Sequence, residues 1–276
     1  MGLLDRGVQI KTPDQIDAMR RAGLVVGETL EVLRAAVLPG MTTGELDSIA
    51  EDAIRSRGAT PSFLGYQGFP ASICASVNEV VVHGIPGDRV LHDGDVISID
   101  CGAIVDGWHG DSAITVALGD VPAEVTELMR VTEEAMWRGI AAARLGGRVT
   151  DISHAVETYV RSQPGGERYG ILEEYVGHGI GSEMHQPPNV PNFGKAGRGP
   201  KLQRGLALAV EPMITLGTQE CDVLADDWTV VTVDGSWSAH FEHTFTLTPD
   251  GLWVLTALDG GRAALERLGI PFGGRD

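Results

Sequence analysis

The stretch from Asp95 to Leu118, DVISIDCGAIVDGWHGDSAITVAL, constrains the fold more than any other part of the chain. Two runs rich in β-branched and apolar residues flank Asp106-Gly107, the dipeptide that best suits a two-residue hairpin turn between twisted strands. Closing the hairpin there sets Val105 opposite Trp108, Gly102 opposite Asp111 and Asp100 opposite Ala113. In that register Asp100 and Asp111 are diagonal neighbours on one face, about 7 Å apart or a little less. Ile97, Ile99 and Cys101 take the other face, which reads as a core face. Two acids side by side on the buried side of a sheet are costly without a counter-cation. The hairpin therefore calls for a packed sheet with a cation site on one face. Asp95 and Asp106 in the same region read as turn residues.

Helical signals surround this core in a repeating order. TPDQ supplies a Thr12 N-cap, a proline at the first helical position and a glutamine three residues after the cap. Ile16, Met19, Val26, Leu30 and Leu33 then form one apolar face, and the helix stops at Pro39-Gly40. A second helix is predicted from Thr43 to Arg57, followed by strands at SICASV, VISIDCGAIV and SAITVAL. The pattern begins again with helices at 122–143 and 151–161, and strands at LALAV, WTVVTV and HFEHTFTLT. LPGMTTGELDSIAED resembles LGGRVTDISHAVET with one residue skipped, and His83-Gly-Ile-Pro echoes His178-Gly-Ile-Gly. The expected architecture is α+β, with residues 13–118 and 122–256 forming two similar halves of one domain that spans 1–276 and one histidine on each side of a central cleft.

Three further residues join the two acids. Glu211 closes the apolar strand LALAVEP, where Pro212 limits further ladder pairing, so an acid there reads as a site residue. In HFEHTFTLT the set His240, Glu242, Thr244 and Thr246 alternates with Phe241, His243, Phe245 and Leu247, which predicts one packed face and one facing a polar cleft. His178 lies among glycines, as do His83 and His185, where backbone turns aim side chains into a cleft. Asp100, Asp111, His178, Glu211 and Glu242 thus combine the hard oxygen and imidazole donors that hold divalent cations, and they point to a two-metal hydrolase. His92 and His154 read as surface residues, and His109, His240 and His243 as structural neighbours of the ligands.

Bulk properties narrow the setting. A net charge of -17 argues against general nucleic-acid binding. The start MGLLDRGVQI lacks a signal-peptide pattern, and no stretch reaches the ~20 apolar residues that span a bilayer, so a cytoplasmic protein is expected. Cys74, Cys101 and Cys221 are odd in number and lack metal or disulfide spacing, which fits reduced thiols. The acidic surface favours a monomer.

The segments GYQGFPASICASVNEVVVHGIP, DVISIDCGAIVDGWHGDSA, GHGIGSEMHQPPNV, VEPM and FEHTF together resemble the type I methionine aminopeptidases, in their short bacterial form. The resemblance implies the pita-bread fold of metallopeptidase family M24, with two pseudo-symmetric α+β halves around a dinuclear centre. It implies that Asp111 and Glu242 bridge two divalent ions drawn from Co, Mn, Fe, Ni or Zn. Asp100 would chelate one ion, and His178 and Glu211 would complete the other. It further implies Glu211 as general base, His185 as oxyanion partner and His83 at the leaving nitrogen. Tyr66, Phe69, Cys74 and Trp228 would wall the methionine pocket, with Phe63 and Met184 beside them. Carbonyls of Asn78, Val80 and Ser238 would hold a monovalent cation. The implied substrate is the N-terminal Met of nascent peptides whose second residue is small, and the chain's own start, Met1-Gly2, has that form.

This sequence departs from the family pattern at Gln67, where histidine is usual, at Phe69, where tyrosine is usual, and at Met184, where an aromatic is common. Only thirty residues separate Glu211 from Glu242, which leaves no space for the helical insertion of type II enzymes. Lys195, Arg198, Lys201 and Arg204 form a basic run in GKAGRGPKLQRG that suits contact with ribosomal RNA or simple solvation. A proline-specific peptidase of the same fold and a metal-free binding homologue are the competing readings. The first usually carries an extra N-terminal domain, and the second has little reason to keep a carboxylate cluster.

Overall fold

A computed structural model describes residues 7–275, so the Met1-Gly2 start lies outside the described residues. Helix α1 (Pro13–Ala36) opens as its sequence dictates. The Thr12 hydroxyl accepts the Gln15 N–H at 3.4 Å, and the Gln15 side chain accepts the Thr12 N–H at 2.9 Å. Helix α2 (Thr43–Ser56) repeats the device with Thr42 and Glu45. Helix α3 (Ala123–Ala142) starts one residue later than its proline suggested, because Pro122 serves as the N-cap. Helix α4 (Val149–Ser162) starts two residues earlier than the predicted Asp151. The Asp151 carboxylate is the third helical residue and accepts the Arg148 N–H at 2.8 Å, so it satisfies the helix start from inside.

The main sheet runs in the order Thr60–Pro61, Val96–Val105, Trp108–Ala117, Glu242–Leu247, Ala207–Val210, Gly177–Gly179 and Gln186–Val190. Ile73–Val77 also pairs with Val96–Val105, and Leu252–Val254 with Glu242–Leu247. The predicted hairpin register is realised in full: Val105 faces Trp108, Gly102 faces Asp111 and Asp100 faces Ala113. Ile97, Ile99 and Cys101 are fully buried in a core shared with Val26, Leu30 and Leu33 of α1 and Leu46 and Ile54 of α2. A second core joins Leu128, Met136 and Ile140 of α3 and Ile152 and Val156 of α4 to Leu208, Val210 and Phe245. Each helix pair thus covers one stretch of sheet, and removing that apolar area from water contributes about 25 cal/mol per Å2.

The internal echo has a structural counterpart in hydrogen bonding. Before α2, Gly40 N–H donates to Leu91 O and Leu91 N–H to Met41 O; before α4, Gly146 N–H donates to Leu202 O and Leu202 N–H to Gly147 O. The basic run therefore lies where the segment 87–91 lies in the first half. The two HisGly steps also share a cause. A Cβ on Gly84 would sit 2.4 Å from Ala75 O and one on Gly179 would sit 2.3 Å from Pro187 O, so neither position tolerates a side chain.

The segment HFEHTFTLT differs from the single amphipathic strand its alternation suggests. Ser238–His240 pairs with Met213–Thr215 in a separate three-stranded sheet, and only Glu242–Leu247 joins the main sheet. Thr244 and Thr246 do not face a cleft but are fully buried. Their hydroxyls donate to Asp111 O at 2.8 Å and Leu206 O at 2.9 Å, which satisfies them without water. Among the described residues no helix is long and apolar enough to cross a membrane.

Candidate metal centre and its pocket

Four of the five candidate ligands lie on neighbouring strands of the main sheet, and Glu211 directly follows a fifth, Ala207–Val210. Asp100, Ala113 and Glu242 stand in one row across three strands, because Ala113 pairs with both acids. Its small side chain leaves the space between them open. His243 pairs with Val210, and continuing that register sets Glu211 opposite Glu242. Gly179 pairs with Leu208, so one residue back His178 shares the face of Ala209 and Glu211. The backbone at the centre is clamped by hydroxyls: Ser112 Oγ donates to Glu242 O at 2.5 Å, and Thr244 Oγ1 accepts the Asp111 N–H at 3.3 Å.

Burial dominates the electrostatics of this cluster. Burial pushes the Asp100 carboxyl up to about 7, although contact with Asp111 and the Cys101 N–H opposes the rise. Asp111, Glu211 and Glu242 are driven well above the usual carboxylate range, first by burial and then by the charges of their acidic neighbours. Burial and His185 push His178 down to about 3, so its ring is neutral at neutral pH. His178 Nδ1 lies 3.0 Å from Gly179 O, which only accepts, so Nδ1 carries the proton and Nε2 presents a lone pair. That lone pair lies 3.4 Å from Glu211 Oε1 and 3.9 Å from Asp111 Oδ2.

An unprotonated nitrogen facing two carboxylate oxygens repels them unless a cation or a proton stands between. Asp100 Oδ1, Asp111 Oδ1, Glu242 Oε1 and His240 Nε2 are buried with no hydrogen-bond partner. Buried polar atoms are rarely left so, and here all four residues line one cavity. Asp111, His178 and Glu242 each bring a donor atom within 4.8 Å of one another, as do Glu211, His240 and Glu242. The donor set therefore fits divalent cations.

The centre forms the floor of a cavity of about 320 Å3. Phe63, Phe69, Cys74 and Met184 are buried in its wall and pack with Tyr66 and Trp228, so all six pocket candidates meet there. Phe69 and Trp228 rings meet edge-on at 5.1 Å, and Phe63 and Phe69 at 6.5 Å. Cys74 lies opposite Asp100, and burial pushes its thiol well up, so it stays protonated. His83 holds a left-handed backbone at φ 58° and borders both Tyr175 and Trp228, with ring separations of 5.5 and 6.0 Å. Burial and the nearby His185 hold His83 down at about 4. His185 stands at the exposed mouth, its Nδ1 2.9 Å from the Tyr66 hydroxyl and its ring 4.4 Å from that of His178.

Other candidates fall elsewhere. His92 and His154 are exposed, His109 Nδ1 bonds Ser62 Oγ at 3.0 Å, and His243 Nδ1 bonds Thr256 Oγ1 at 2.8 Å, away from the centre. Ser238 N–H donates to Asn78 O at 2.9 Å, which brings two of the three candidate carbonyl residues for a monovalent cation together. Lys195, Arg198, Lys201 and Arg204 are all exposed, while Arg198 O and Pro200 O accept N–H groups from the start of α4. Glu174, Tyr175 and His240 line the cavity without having been singled out as site residues. For His240 the signal was its two-residue step from Glu242, which put both on the cleft-facing side of the alternation although His240 was read only as a structural neighbour.

Residues 17–249 match metallopeptidase family M24. The methionine aminopeptidase of Clostridium acetobutylicum is 52% identical over 248 residues, covering 90% of this chain and 98% of that protein. Methionine aminopeptidase 1 of Mycobacterium tuberculosis is 52% identical over 254 residues, covering 91% of this chain and 96% of that protein. The crystal structure of methionine aminopeptidase from Rickettsia prowazekii superposes with a TM-score of 0.87 at 40% identity, covering 90% of this chain and 99% of that one. The prolidase of Pyrococcus furiosus shares the fold alone, with a TM-score of 0.72 at 20% identity over 65% of its length. The fold is the pita-bread fold, and likeness at this identity over nearly the full length of both chains reaches past the fold to the activity class: this chain belongs to the methionine aminopeptidases of metallopeptidase family M24.

Proposed function

We propose that this chain removes the N-terminal Met from nascent peptides whose second residue is small, in the cytoplasm and as a monomer, with residues 13–118 and 122–256 acting as two halves of one catalytic domain. The observation that carries the reading is that Asp100 Oδ1, Asp111 Oδ1 and Glu242 Oε1, three buried ligand oxygens without a hydrogen-bond partner, line one cavity with the apolar side chains of Phe63, Phe69, Met184 and Trp228. Asp111 and Glu242, together with Asp100 on one side and His178 and Glu211 on the other, would hold two divalent ions. Bound there, the ions supply Lewis acidity that activates the attacking water and polarises the scissile carbonyl.

The chain's own groups do the rest. Glu211 takes the proton of the attacking water, a role suited to a carboxylate beside the nucleophile. With Tyr66 donating to Nδ1, the His185 proton sits on Nε2 and serves the oxyanion. His83 is neutral at neutral pH, so its bare ring nitrogen accepts the N–H of the departing nitrogen while that atom's lone pair takes the proton held by Glu211. Phe69, Trp228, Met184 and Cys74 hold the unbranched thioether of methionine by soft apolar contact. The exposed, like-charged quartet Lys195, Arg198, Lys201 and Arg204 contacts ribosomal RNA without sequence specificity. The carbonyls of Asn78, Val80 and Ser238 hold a monovalent cation.

The decisive assay is cleavage of Met-Gly-Met and of a Xaa-Pro peptide by protein reconstituted with Mn, Co, Fe, Ni or Zn. Release of Met from the first peptide with the second untouched supports the reading. No cleavage of the first with any of the five ions overturns it.

A further inference from the structure

His240 belongs to neither the five ligands nor the pocket roles assigned above, yet its Nε2 is buried and has no hydrogen-bond partner. The residue is 2% exposed, so bulk water does not satisfy that nitrogen. Its backbone is fixed on both sides: the N–H donates to Thr115 Oγ1 at 3.0 Å, and Thr115 Oγ1 donates to His240 O at 2.7 Å. Ser98 Oγ reinforces the same N–H at 3.3 Å. The main chain from which the imidazole projects is thereby fixed, while Nε2 itself has no other hydrogen-bond partner. Nε2 stands 3.9 Å from Glu211 Oε2 and within 4.8 Å of donor atoms of both Glu211 and Glu242.

The geometry points to His240 Nε2 as a sixth ligand of the metal centre, a second imidazole on the side of Glu211 and Glu242. The inference rests on the metal-dependent reading above and adds a donor to it. It follows that His178 and His240 face the centre from two different sheets, one nitrogen each. An added imidazole favours ions such as Co, Ni and Zn over the oxygen-preferring Mn and Mg. A long contact between Nε2 and a single carboxylate would instead leave His240 as a hydrogen-bond donor that merely orients Glu211.

Proton NMR of the Co(II)-loaded wild type separates these cases, because each imidazole bound to Co(II) gives a strongly shifted, exchangeable ring N–H signal. Two such signals are expected, reduced to one in His240→Gln, which keeps a hydrogen-bonding side chain of similar reach. Titration calorimetry should show Co(II) affinity falling about tenfold or more in that variant, with a smaller loss for Mn(II). A single shifted N–H in the wild type overturns the inference even if the protein cleaves Met-Gly-Met. Two signals in a protein that fails to cleave it leave the inference standing and sink the proposed activity instead. Wild-type protein that binds no Co(II) overturns both.

Discussion

Replacing Asp100 by asparagine should make the metal-free protein more stable while destroying its ability to work with metal. Burial raises the Asp100 pKa from its ordinary 3.8 to about 7 in the folded chain. A carboxyl whose folded value lies above its unfolded value binds more protons when folded, so stability falls as pH rises between the two values. At roughly 1.4 kcal/mol per pKa unit, the ionised form burdens the fold by about 4 kcal/mol above pH 7 and by nothing below pH 3.8. That figure is an upper limit, because Asp100 keeps some exposure to the cavity although its Oδ1 is sealed. Between pH 5 and pH 8 the advantage of Asp100→Asn should therefore grow by up to about 3 kcal/mol. Urea unfolding in a chelator across that range measures it. Adding Co or Mn should reverse the ranking, because only the wild type completes the centre, and ligand at 100 times its Kd stabilises by about 2.7 kcal/mol. An advantage that stays flat with pH, or a variant less stable than the wild type at pH 8, would refute the reading of Asp100 as a buried acid held for a cation.

Glu211→Gln should lower kcat by about 100- to 10,000-fold in steady-state cleavage of Met-Gly-Met, the range for a lost general base. His185→Ala should lower kcat by about 100- to 1,000-fold, and Tyr66→Phe by less, since the tyrosine acts by fixing the His185 ring; an effect of Tyr66→Phe equal to that of His185→Ala would show that the hydroxyl itself touches the substrate. Trp228→Ala should raise KM for Met peptides more than it lowers kcat, because the ring it removes packs on Phe69 in the pocket wall. Changing Lys195, Arg198, Lys201 and Arg204 together to glutamate should abolish co-sedimentation with ribosomes at low salt, and unchanged co-sedimentation removes that contact.

Local chemistry made much of this molecule readable in one dimension. An Asp-Gly turn between two strand-forming runs dictates a hairpin, and period-two geometry then puts Asp100 and Asp111 on the face opposite Ile97, Ile99 and Cys101. Thr12 with Gln15 and Thr42 with Glu45 announce the starts of α1 and α2, because each cap is completed within four residues. The start of α4 was misplaced by two residues because Asp151 caps Arg148 from the third helical position, where an acid looks like a beginning.

What the chain alone determined is therefore the four long helices, the hairpin with its register and the donor types at Asp100, Asp111, His178, Glu211 and Glu242, all of which depend on neighbours a few residues away. Only the tertiary structure decided how those donors meet, because the pairing of Glu242 with Ala113 and of His243 with Val210 joins segments about a hundred and thirty and thirty residues apart. It also decided that Thr244 and Thr246 are sealed by the carbonyls of Asp111 and Leu206, and that His240 leaves the main sheet yet returns its Nε2 to the centre. Strand alternation predicts a face but not what covers it; that depends on which distant segment packs there and which lone pairs it brings.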